Sequence, residues 1–185
     1  MKLFISTRLN AGILSLCLIL LNACSLPLTP TLPDLPATLT PTAESYGGNC
    51  GYQWAQKALP ELSGEFQQSI QQLQPEALAN AFAFGEDCIY ADGHAVFTAM
   101  ETDFNITLQV VDLANESDLG EWIVKVMQVV ESIPPEKIQG PRPGRVSLEF
   151  RSGSENKFVN FYIDKYQALP GDLSTTEIYQ ALQTP

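Results

Sequence analysis

The sequence predicts an α+β domain in which helix, strand, strand, helix, strand, strand and helix follow one another, the four strands forming one antiparallel sheet with the helices packed mainly on one face. Three observations carry that expectation. Apolar residues recur at three- and four-residue intervals in some segments and alternate singly in others. Each pair of alternating segments is divided by a tight turn signal, and two Ser/Asp-x-x-Glu patterns stand where helices should begin.

In chain order, Leu62, Phe66, Ile70, Leu73 and Ala77 fall on one helical stripe, and Gln67, Gln68, Gln71, Gln72 and Gln74 fill its uncharged wet side. Strands are expected over 79–90 and 95–111, split by Ala91-Asp92-Gly93-His94, in which Asp-Gly is a hairpin signal. Alternation in the second strand puts Val96, Met100, Phe104, Ile106, Leu108 and Val110 on a packed face and Glu101, Asp103, Asn105, Thr107 and Gln109 on a solvated one. Its length predicts a bulge near 101–103. Asp118, with Glu121 three positions on, is expected to cap a helix striped by Leu119, Trp122, Ile123, Val126, Val130 and Ile133 and ended by Pro134-Pro135. Beyond a Pro/Gly-rich crossover, strands are expected over 145–150 and 157–166 around the turn Ser152-Gly153-Ser154. Ser174 and Glu177 then open a short last helix.

The first 45 residues read as something other than this domain. Lys2 and Arg8 precede an apolar run over 11–21 that is shorter than the roughly 20 residues a spanning helix needs. It ends in Leu21-Asn22-Ala23-Cys24, which resembles the lipobox of bacterial lipoproteins, with Asn22 departing from the usual small residue. The resemblance implies that 1–23 is a signal peptide and that Cys24 is lipidated. It also implies a protein held on the extracytoplasmic face of the cell membrane or the outer membrane. Over 24–45 the chain is rich in Pro and Thr, and Pro27, Pro30, Pro33 and Pro36 recur at the three-residue period of polyproline II. This reads as a spacer between the anchor and a single domain over 46–185. With Cys17 lost and Cys24 acylated, Cys50 and Cys88 remain, and a disulfide between them is expected.

Chemistry is sparse. His94 is the single imidazole and sits at a hairpin tip. No Gly-rich phosphate loop, dinucleotide fingerprint or His-Glu-x-x-His zinc helix occurs, so no catalytic residue and no cofactor is assigned. The formal charge of -11 excludes nucleic acid as a partner, because phosphate binding needs clustered cations. That excess lies wholly in the first half of the domain, where twelve acids face Lys57 alone. A weak oxygen-ligand set for a divalent cation is Asp112, Asn115, Glu116 and Asp118. Glu101, Asp103, Tyr162 and Tyr166 are the expected partner surface, and an envelope protein the expected partner.

Overall fold

A computed structural model describes residues 50–183. The expected signal peptide, the expected lipidation site Cys24 and the expected spacer lie outside the described residues. The domain is α+β: β1 (Cys50–Ala58), α1 (Pro60–Leu73), β2 (Leu78–Tyr90), β3 (Ala95–Gln109), α2 (Glu116–Glu131), a 3₁₀ turn (Pro135–Lys137), β4 (Arg145–Ser152), β5 (Glu155–Tyr162), α3 (Ile163–Gln167) and α4 (Thr175–Gln183). The strands form one five-stranded sheet in sequential order.

Two features correct the expected four-stranded antiparallel sheet. A strand precedes the first helix, and β1 pairs antiparallel with β2 from Cys50 opposite Tyr90 to Ala58 opposite Phe82. The β3–β4 pair is parallel, Phe104 lying opposite Val146 and Gln109 opposite Arg151. The physical reason is the connection. Helix α2 and the crossover after it carry the chain back alongside the middle of β3, near Met100–Phe104, so the next strand runs the same way. The other pairs are antiparallel hairpins, with Gly93 and Gly153 at positive φ in their turns.

Side chains of the inner face and three helices make one core. Phe66 and Ile70 of α1, Phe104, Ile106 and Leu108 of β3, Ile123, Val126 and Met127 of α2, Val146, Leu148 and Phe150 of β4, and Leu182 of α4 are buried together. Ala79, Ala81 and Ala83 line β2 beneath α1, and their small side chains let the helix come close. Two glutamines of the expected wet side are used in that approach. Gln67 donates to the Ala77 carbonyl at 2.8 Å and accepts from the Ala79 amide at 2.6 Å. Ser63 does the same at Ala81, and Gln74 at Gln109. Since β1 reaches only Phe82, Ser63 and Gln67 supply the partners that a longer β1 would give the start of β2.

Three local expectations shift. The bulge in β3 falls at Met100, between Ala99 opposite Gly85 and Glu101 opposite Phe84, one residue before the expected place; it takes Met100 out of the packed row and leaves Val96, opposite Cys88, exposed on the other face. Helix α2 begins at Glu116, and its cap is Asn115, whose side chain accepts from the Asp118 amide; Asp118 is inside the first turn. The strand expected to reach Tyr166 stops at Tyr162 and turns into α3. The last capping box forms as expected, with Ser174 and Glu177 bonded reciprocally at 2.8 and 3.3 Å. The Cys50–Cys88 disulfide is present, diagonal across β1 and β2. No helix among the described residues is long and apolar enough to cross a membrane.

Candidate functional site

All the large helices lie on one side of the sheet, which leaves the other face uncovered. Residues directly opposite in register point to the same side, so the uncovered face can be read off the pairing. Trp54 and Tyr52 come from β1, Phe82 and Phe84 from β2, Glu101 and Asp103 from β3, Arg145 and Glu149 from β4, and Phe158 and Tyr162 from β5. Tyr52 and Trp54 are 61% and 63% exposed, and Phe158 and Tyr162 are also exposed. Trp54 stacks on Phe84 with ring centres 5.3 Å apart.

Between these aromatic flanks runs a charged cleft of about 420 Å³ lined by Phe84, Glu101, Arg142, Pro143, Arg145, Tyr162 and Asp164. The expectation that Glu101 and Asp103 sit on solvated surface is corrected here, as each is only 4% exposed. Their cover is the crossover before β4, which lies along β3. Arg142 donates its amide to the Met100 carbonyl, and Thr102 bonds the Gln139 backbone through both its carbonyl and its amide. Glycine is required for that approach. A Cβ on Gly140, whose φ is 89°, would fall 2.2 Å from the Met100 carbonyl carbon, and one on Gly144 would fall 1.7 Å from the Thr102 oxygen.

The buried acids are met differently. Asp103 accepts the Arg145 amide at 2.7 Å, and burial raises its pKa against the pull of that bond and of the Arg145 charge. Glu101 has Arg142 at 3.6 Å. The Arg145 guanidinium lies 5.6 Å from the Tyr162 ring centre. Lower on the same face, Glu149 accepts two bonds from Arg151 at 2.8 Å, one from Asn156 and one from Thr107. Those from Arg151 do most to hold its pKa down at about 2.

Of the expected partner surface, Glu101, Asp103 and Tyr162 are brought together and Tyr166 is not. Tyr166 lies on α3, half-buried, with its ring 6.3 Å from that of Phe161; burial, then the Glu131 charge, pushes its hydroxyl pKa up. The four candidate cation ligands are not gathered either. Asp112 accepts from the Ala114 amide, Asn115 caps α2, and Glu116 accepts from Gln180. Among the described residues no group of three or more His, Cys, Asp or Glu is placed to hold a metal ion. His94 stacks on Tyr90 and pairs with Asp92 at the hairpin tip.

The sequence marks Arg142 and Arg145, with Lys137, only as a sparse basic cluster in the Pro-rich crossover that could touch headgroups or an acidic partner, and it does not point to Trp54, Phe84 or Phe158. One signal was present: in β2 the large Phe82 and Phe84 alternate with alanines that fit under a helix, so the aromatics had to face the other way. No protein-family model matches the chain, and no curated protein or solved structure matches it either.

Proposed function

We propose that the protein is a lipid-anchored extracytoplasmic binding module, and not an enzyme, which engages a basic segment of an envelope protein through the uncovered face of its sheet. The observation that carries the reading is the exposure of Tyr52 and Trp54 on that face, opposite the side where the helices pack. A monomeric domain rarely leaves aromatic area of this kind in water without use for it, and rigid aromatics are enriched at interface centres. The sign of the partner follows from charge: the half of the domain containing β1, β2 and β3 holds twelve acids and one Lys. Cys24 supplies the anchor and the Pro-rich spacer the reach, roughly 65 Å when extended as polyproline II.

The test is site-specific photo-crosslinking in intact membranes. A crosslinker at Trp54 is expected to capture a discrete protein, and one at Gln71, on exposed α1, to capture none. Identical adducts from both positions, or none from Trp54, would overturn the reading.

A further inference from the structure

Glu101 has acceptor capacity to spare. Its side chain is largely buried, but its carboxylate reaches the cleft, accepts no hydrogen bond among the described residues, and has its ion-pair partner at 3.6 Å, past hydrogen-bond range. An ionised carboxylate has about four acceptor positions, and here they are open to a donor that enters the cleft. The guanidiniums beside it have the complementary surplus. Among the described residues neither Arg142 nor Arg145 donates a side-chain hydrogen bond: Arg142 has the long contact to Glu101, and Arg145 lies over Tyr162. All three line one cleft, where Asp164 brings the charges to two acids and two bases and Phe84, Pro143 and Tyr162 form apolar walls.

The pairing of these open acceptor and donor groups selects the ligand. A simple anion would be drawn to the guanidiniums but set against Glu101, with Asp103 close behind it. A simple cation would meet Glu101 but be set against both arginines. A molecule carrying both charges a few ångströms apart satisfies both. The cleft volume of about 420 Å³ is in the range of small-ligand sites, and its apolar walls favour an apolar side chain.

We infer that this cleft binds a small zwitterion, an α-amino acid with an apolar side chain, whose ammonium donates to Glu101 while Arg142 and Arg145 hold its carboxylate. Charge-assisted bonds of this type are stronger than neutral ones, and a guanidinium fork suits a carboxylate in particular. The inference does not depend on a protein partner at Trp54.

The experiment is calorimetric titration of the full-length protein with L-leucine and L-phenylalanine, beside N-acetyl-L-leucine, which lacks the ammonium, and L-leucinamide, which lacks the carboxylate. Saturable binding of at least one amino acid is expected, weakened at least about tenfold by either blocking group and by Glu101→Gln. Arg142→Gln, on a half-exposed side chain, is expected to weaken binding similarly while the circular-dichroism spectrum stays that of the folded domain. Trp54→Ala is expected to keep amino-acid binding and to lose the protein contact, so the two readings fail separately. Absence of saturable binding of both amino acids up to about 10 mM would overturn the inference. Equal binding of N-acetyl-L-leucine would reduce the cleft to an anion site, and equal binding of leucinamide to a cation site; either result also overturns it.

Discussion

Asp103 and Glu149 stand on the same sheet face and titrate in opposite senses. Burial raises the pKa of Asp103, so the folded state takes up its proton more readily than the unfolded chain, and acidification favours folding through this group. Glu149 is held at about 2 against an ordinary 4.5, first by Arg151 and then by Asn156. Its contribution is therefore complete above about pH 4.5 and is lost as the pH falls toward 2. Glu149→Gln is expected to flatten the fall in melting temperature across that interval, measured by thermal unfolding at a series of pH values. Wild-type and variant curves that stay parallel from pH 4.5 to 2 would show that Arg151 does not stabilise the charged form.

The informative elements are those whose partners are not neighbours in sequence. Helix α1 closes the start of β2 with side chains, so Gln67→Ala is expected to leave the Ala77 carbonyl and Ala79 amide short of a partner. A loss of about 1–3 kcal/mol in denaturant unfolding is expected, against near zero for the solvent-facing Gln71→Ala. Equal effects of the two would remove the special role of Gln67. The hairpins, the Cys50–Cys88 staple and the last capping box were legible because each is set by residues close in sequence or by cysteine count. The chain-entropy model assigns that staple, whose half-cystines are 38 apart, about 4 kcal/mol. Strand β1 was not legible, because its inner-face positions, Gly51, Gln53, Ala55 and Lys57, form no apolar row and its aromatics face the other way. Alternation also carries no sign of strand direction. The helix between β3 and β4 did carry one, since a connection of that length ordinarily joins parallel strands.

For the whole molecule, the expected site was half visible. Glu101 and Asp103 were found by sign and spacing, but alternation tells which face a side chain occupies and not what crosses above it. The crossover that buries them is a Pro/Gly segment without periodicity, so Arg142 and Arg145 could be placed beside the acids only in three dimensions. The proposed anchor belongs to this scale too. Cys24→Ala is expected to move the protein from the membrane to the soluble fraction on cell fractionation, and unchanged retention would remove the lipid from the account.

The β3–β4 seam also orders events in time. The β2–β3 and β4–β5 hairpins turn within four and two residues, whereas the seam joins Phe104 to Val146. Hairpins form in about 1–10 μs, and closure of a long loop carries a larger entropic cost. The two hairpins are thus the early pieces and the seam the late joint. Glu101 and Asp103 lie on one side of that joint and Arg142, Arg145 and Tyr162 on the other, so the cleft exists only once the last long-range pairing is made. A ligand held there clamps the joint, and its signature is a slower unfolding rate with the folding rate left almost untouched.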